Sequence, residues 1–191
     1  MLNHLGTKTL ETDRTILRNF RKDDAKDMFN NWASDENVTR YLTWSAHKEL
    51  KVTQNLMSIW VSKYSNMDYY QWAIFLKEAK QVIGSISLMN VDSYNENCEI
   101  GYCMGRRWWN KGIMTEVFKE VIKFGFNEVG FERISARHDV PNTASGSVME
   151  KCGLSYEGTM RKILRNSNGN LVDCRCYSIL KEEYKTIFEG P

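Results

Sequence analysis

No stretch of this chain is apolar for long enough to span a bilayer. The first residues, M-L-N-H-L-G-T-K-T-L-E, lack the apolar core of a signal peptide. Neither membrane insertion nor export is therefore expected. An excess of charge is also missing: 26 Lys and Arg stand against 24 Asp and Glu, a net of +2. That balance gives no electrostatic case for nucleic acid or an anionic membrane as partner. The cysteines, Cys98, Cys103, Cys152, Cys174 and Cys176, include no C-x-x-C pair, and their number is odd. Cys174 and Cys176 fall on one face of a strand, which is no zinc signature, so no metal is expected. Buried, reduced thiols in a cytoplasmic protein are the expectation instead. Linkers, repeats and low-complexity runs are absent, as is the G-x-x-x-x-G-K-[ST] nucleotide loop. What is present suffices for a packed core. Apolar residues make up 42% of 191 residues and aromatics 12%, at a length that fits one domain over 1–191.

The most informative stretch runs from Glu99 to Glu128. A short apolar run, Ile100 to Met104, reads as a strand. A polar, basic turn follows from Gly105 to Gly112. Then Met114, Val117, Phe118, Val121, Ile122 and Gly125 recur at helical spacing. Free N–H groups and the positive dipole end at a helix start attract phosphate. Gly112 lets backbone approach an anion closely, and Arg106, Arg107 and Lys111 add positive charge. A phosphate site and an ordinary strand-to-helix turn with solvated cations both fit this pattern.

The remaining elements follow from periodicity and turn chemistry. Residues 14–20 alternate as a strand with Ile16, Arg18 and Phe20 on one side. A helix opens near Asp23 and Asp24 with Ala25, Met28, Phe29 and Trp32 as its stripe. The aromatic, polar segment from Asn37 to Lys48 reads as a loop. A helix from about Lys48 to Ser65 is expected to turn Val52, Leu56, Ile59 and Trp60 inward. Strands are predicted over Tyr70–Leu76 and Val82–Val91, where Gly84 marks a bulge or a close approach. Another covers Arg133–Arg137. Asn142 is a natural N-cap for a short helix that Gly153 and Leu154 close. Asn168-Gly169 between two apolar runs signals a hairpin, and the tail reads as helical. A strand–helix–strand unit implies a parallel crossover, whereas the earlier meander implies antiparallel pairing. The fold class is therefore mixed α/β, a mixed central sheet with helices on both faces.

G-Y-x-x-G-x-x-W-W-N-K-G-I-M-T-E resembles the acetyl-CoA pyrophosphate loop of the GNAT N-acetyltransferases, most closely the RimJ/RimL-like branch, which acetylates N-terminal amines of ribosomal proteins. Only the first glycine of the superfamily pattern is kept, as Gly112. Trp109 stands at the Arg/Gln position, Met114 where Gly or Ala is expected, and Asn110 where the branch often has Gly. T-D-R-T-I-L-R-N-F-R-K-D-D-A is similar to the opening of that branch. P-N-T-A-S-G-S-V-M-E-K-C-G-L-S-Y-E-G resembles the family's N-x-x-S-x-x-V-x-x-K-x-G-F-x-x-E-G. The resemblance spans about Asp13 to Leu180.

It implies the GNAT fold and acetyl-CoA as cosubstrate, held by Tyr102, Cys103, Met104, Arg107, Asn110, Lys111, Gly112, Ile113, Met114, Thr115 and Asn142. Asn142 would bond the pantetheine arm. A bulge in the central strand near Tyr102–Met104 would polarise the thioester through a backbone N–H. Many relatives use a Tyr seven residues after the Asn; here Met149 stands there. Ser145 is then the candidate proton donor to the thiolate, and Glu99 the candidate base, directly or through water. His47 lies in a loop resembling the substrate side, His138 reads as structural, and Thr43 with Trp44 lines either an acceptor groove or the core. Trp108 and Trp109 would brace the loop. Plainer roles fit the same residues: a strand-end carboxylate for Glu99, a first-turn helix residue for Ser145. The acceptor implied is a protein N-terminus, such as that of a ribosomal protein, with the enzyme a monomer or a homodimer. A small amine as acceptor, such as a polyamine or aminoglycoside, and a non-catalytic acyl-CoA-binding module are the alternatives.

Overall fold

Runs rich in β-branched and aromatic residues build most of the core as sheet. The computed structural model describes residues 1–190. Its strands are β1 (Leu10–Glu11), β2 (Thr15–Arg18), β3 (Tyr70–Leu76), β4 (Gln81–Asp92), β5 (Asn97–Met104), β6 (Arg133–Asp139), β7 (Ser155–Arg165) and β8 (Leu171–Leu180). They form one sheet in the order β1-β2-β3-β4-β5-β6-β8-β7. Only β5 and β6 pair in parallel; the other neighbours are antiparallel. The mixed α/β expectation holds, with the two-residue β1 added.

The helices are α1 (Ala25–Met28), continued by a π turn at Phe29–Ala33, α2 (Glu36–Thr39), α3 (Leu50–Lys63), α4 (Ile113–Phe124), α5 (Thr143–Lys151) and α6 (Lys181–Tyr184). Alternation along β3 splits the core. Trp72 and Ile74 join a cluster with Val117, Phe118, Val121 and Ile122 of α4. Ala73 faces the other way, into a cluster with Met28, Trp32 and Met57. Helices therefore cover both faces, as the pattern predicts.

In β2, Ile16 and Arg18 share one side, as expected, and Arg18 pairs with Asp24, at 2.7 Å, just before α1; the buried Thr15 and Leu17 face the other way. Two expectations need correction. In α3, Val52 and Ile59 are 47% and 53% exposed, while Thr53 and Met57 are buried. A polar anchor accompanies the change: the buried Thr53 hydroxyl lies 2.8 Å from His47 Nδ1, while Leu56 and Trp60 still pack on the core as expected. The segment after Glu36 is not all loop, because α2 extends to Thr39.

The crossover α4 links β5 to β6, and what it leaves open matters most. The two strands pair only at Asn97–Arg133, Cys98–Ile134 and Glu99–Ser135. Beyond that point β6 continues against β8, β5 continues against β4, and the two part. The β4–β5 ladder is regular from Gly84–Met104 to Met89–Glu99 and shifts only between Met89 and Asp92. The bulge implied near Tyr102–Met104 is therefore not there; the irregularity sits at the strand's other end. Gly84 is a close approach, as expected: a Cβ there would lie 2.5 Å from the Cys103 carbonyl oxygen.

Candidate active site

The parting of β5 from β6 opens a cleft of about 670 Å³. Glu99, Tyr102 and Cys103 of β5 line it, with Asn142 and Ser145 from the start of α5. The sequence thus draws five of its candidate residues into one place from two elements. Alternation along β5 sends Tyr102 towards α4, where its ring meets Phe118 edge-on at 5.3 Å. Cys103 points to the opposite face, its sulfur 3.4 Å from the Ser85 hydroxyl. Burial pushes the Cys103 thiol up, so it stays protonated.

Ser145 does not stand alone. Its hydroxyl is 2.6 Å from the Tyr102 phenol oxygen, which also lies 3.0 Å from the Ser145 carbonyl as a donor to it. Burial in apolar surroundings pushes the Tyr102 phenol well above its ordinary range, against a smaller opposing effect of the Ser145 bond. The phenol is therefore a neutral donor at any physiological pH. Sequence reading places Tyr102 only along the cofactor; its hydroxyl at Ser145 is the part it misses. Period-2 alternation puts Tyr102 and Ile100 on the α4 face, but nothing in the sequence gives the reach to α5.

Glu99 is held by two side chains. Arg137 Nε on β6 is 3.0 Å from one carboxylate oxygen, and Asn90 Nδ2 donates to the other at 3.1 Å. Its side chain is 16% exposed, so it borders the cleft rather than facing bulk water. Arg137, not singled out in the sequence, is thus the residue that orients the candidate base.

Asn142 occupies the N-cap position of α5, and its carbonyl accepts from the Ser145 N–H at 3.1 Å. The side chain makes no cap bond, contrary to expectation. At the other end the expected closure is complete. Gly153 takes φ +86°, its N–H donates to Glu150 O at 3.0 Å, and the Leu154 N–H donates to Met149 O at 3.1 Å.

The basic turn lies beyond the end of β5, outside the residues lining the cleft. Asn110 and Gly112 both take left-handed φ, +58° and +71°. Asn is the non-glycine residue that tolerates this conformation best, which explains how Asn110 replaces a glycine. Ile113 and Met114 are buried in the first turn of α4, with Thr115 following. Of the cations, Arg106 is drawn off to Asp35 at 2.6 Å, and Arg107 lies 5.7 Å over the Trp108 ring. Trp108 is buried, and Trp109 Nε1 donates to Met104 O at 2.6 Å, so the pair braces the turn.

The other arm of the cleft is aromatic, with Trp44, Trp60 and Tyr69 beside Thr43. His47 packs on Trp44 at 5.2 Å, and partial burial lowers its pKa. His138 is buried, and its Nδ1 lies 2.8 Å from the Asp139 carbonyl. Among the described residues, no group of three His, Cys, Asp or Glu side chains stands close enough to hold a metal ion. Nor is any helix long and apolar enough to cross a membrane.

Comparison with known proteins agrees with this architecture. The family model described as "Acetyltransferase (GNAT) domain" matches residues 14–155. An uncharacterized N-acetyltransferase of Bacillus subtilis, YoaA, is 31% identical over 172 residues, 90% of this chain and 96% of its own. The [ribosomal protein uS5]-alanine N-acetyltransferase of Escherichia coli is 28% identical over 97 residues, half of each chain. The crystal structure of a GNAT-family acetyltransferase from Bacillus anthracis superposes with a TM-score of 0.79 at 26% identity, covering 92% of this chain and 99% of that one. The opened sheet, the turn into α4 and these matches lead to one assignment: this chain belongs to the GNAT acetyltransferase family.

Proposed function

We propose that the protein transfers the acetyl group of acetyl-CoA to the α-amine of a protein or peptide N-terminus, such as that of a ribosomal protein. One observation carries the mechanism: Glu99, Ser145 and Tyr102 border one cleft where β5 leaves β6. The unpaired edge of β5 and the Asn142 side chain suit the amides of a pantetheine arm. The turn from Arg107 through Asn110, Lys111, Gly112 and Ile113 to Met114 and Thr115 suits the phosphates, with Tyr102, Cys103 and Met104 alongside.

In this reading the amine nitrogen attacks the thioester carbon, and the carbon–sulfur bond breaks as the tetrahedral intermediate collapses. Ser145 gives its hydroxyl proton to the departing sulfur; the Tyr102 phenol, whose one proton sits on the Ser145 carbonyl at rest, turns that hydrogen bond to Ser145 Oγ as the serine loses its own, and solvent restores the serine proton. Glu99 takes the proton released by the amine, directly or through water. Alignment of the two reactants supplies the larger part of the rate, up to roughly 7–11 kcal/mol; proton transfer adds typically 10²–10⁴-fold. The protein-N-terminus acceptor draws support from the relative that acts on uS5 alanine. A cytoplasmic setting draws support from five free thiols.

The test is an acetyl-transfer screen by mass spectrometry over N-terminal peptides, polyamines and aminoglycosides. Transfer to peptide α-amines is expected. Transfer to small amines alone would overturn the acceptor class. Tight acetyl-CoA binding with no transfer to any amine would replace the enzyme reading with a binding module.

A further inference from the structure

The turn before α4 is held from outside by a residue about a hundred positions earlier in the chain. Arg14, at the entrance to β2, donates from Nη1 to the Lys111 carbonyl at 2.8 Å. Its Nε donates to Glu116 Oε2 at 2.6 Å, Nη2 stands 2.6 Å from the same oxygen, and its backbone N–H donates to Oε1 at 3.0 Å. Glu116 lies in the first turn of α4. Partial burial pushes its carboxyl up, but bonds from Thr12 and from the Arg14 backbone and side chain together keep it below the ordinary range. Arg14 and Glu116 are 44% and 22% exposed, and a lone exposed pair is worth little to stability. Two guanidinium N–H groups on Oε2, the backbone N–H on Oε1 and a further bond from Nη1 to a carbonyl give this one a directional role instead.

That role follows from the peptide plane. In a trans peptide the C=O and the next N–H point in opposite directions. With Lys111 O fixed on Arg14, the Gly112 N–H is turned to the far side of the loop. Gly112 is the left-handed residue there, and a Cβ on it would meet only Arg14 Nη2, at 3.7 Å. Nothing else stands within 4 Å of that position.

We propose that Arg14 and Glu116 are positioning residues for acetyl-CoA: the pair locks the Lys111–Gly112 peptide so that its N–H faces the phosphates. This rests on the reading of the turn as the cofactor loop. It also explains how the loop keeps its shape with Asn110 and Met114 in place of small residues.

Charge and bracing predict opposite signs for one substitution. Glu116→Gln removes a negative charge from beside a polyanion, so plain electrostatics makes acetyl-CoA bind more tightly. Loss of the brace makes it bind about three- to thirtyfold more weakly, the usual coupling within one hydrogen-bonded network. Titration calorimetry with acetyl-CoA reads the sign. Arg14→Lys keeps the charge but cannot hold Glu116 and the Lys111 carbonyl together, and it should weaken binding to a similar degree. Amide exchange in the free protein should quicken from Lys111 to Thr115 in both variants and remain slow in β3 and β4, which separates a loosened loop from a loosened fold. Tighter or unchanged binding by Glu116→Gln, or wild-type affinity for Arg14→Lys, overturns the proposal. Absence of binding by the wild-type protein would instead overturn the cofactor reading itself.

Discussion

Two hydroxyls and one amide decide what single residues do here. Ser145 and Tyr102 are 2.6 Å apart, close enough that removing either should disable the same step. Ser145→Ala should lower kcat by about tenfold to a thousandfold, the range for a positioned proton transfer, with acetyl-CoA affinity far less affected. Tyr102→Phe keeps the ring on Phe118 and should cost part of the same factor. The double variant should be no slower than Ser145→Ala alone, and losses that multiply would show the two to be independent. Asn142 separates two plain roles. A capping side chain is worth about 1 kcal/mol, but this one makes no cap bond. Asn142→Ala should therefore leave the urea midpoint nearly unchanged while weakening acetyl-CoA binding. A loss of a full cap's worth of stability would return Asn142 to an ordinary helix start.

At the level of elements, packing tolerances decide where the chain resists change. The β4–β5 ladder runs so close at Gly84 that any side chain must displace the Cys103 carbonyl. Gly84→Val should cost about 1–3 kcal/mol, read as a lower thermal midpoint, through overpacking rather than lost backbone freedom. Periodicity makes elements such as β3 and α4 legible, because their apolar residues far outnumber exceptions. It is half right at α3, where Leu56 and Trp60 pack on the core as expected, but a buried threonine lies beside His47 and apolar Val52 and Ile59 remain outside. Hydrophobic pattern carries no information about such a polar anchor. The loop before α4 is legible as a motif but not as a shape. Its bracing comes from Arg14, and no local signal connects residues 14 and 116.

For the molecule as a whole, buried acids that dislike charge set the alkaline limit. Burial pushes the Cys152 thiol up to about 12 and the Cys174 thiol up to about 11, from 9.0. Below pH 9 both states hold these protons and the thiols contribute no slope. Above it the unfolded chain releases them first, so stability should fall as pH rises from about 9 through 11 to 12. Urea unfolding at pH 8 and pH 10.5 should show a lower midpoint at the higher pH, and Cys174→Ala should flatten the difference. The overall sheet was readable from strand order and turn chemistry, since six of its eight strands lie side by side in chain order. The candidate site was half readable. Glu99, Asn142 and Ser145 are proposed from motif alone, while Arg137 and the Tyr102 hydroxyl come beside them only through the three-dimensional placement of β5 against β6 and α5.

The three-pair seam between β5 and β6 also bears on how the chain is made. Everything on one side of it, β1 through β5, is complete by Met104. Everything on the other side begins at Arg133. A ribosome therefore makes all the strands of one half-sheet before any strand of the second, and α4, made between them, brings the apolar face that covers the first half. Domains assemble more safely when early segments satisfy their own pairing, because unpaired edges invite association with neighbouring chains. Here just one edge, that of β5, waits for a partner, and only a short part of it is ever taken. The gap left over is the cleft: a stretch of nascent edge that later synthesis never covers.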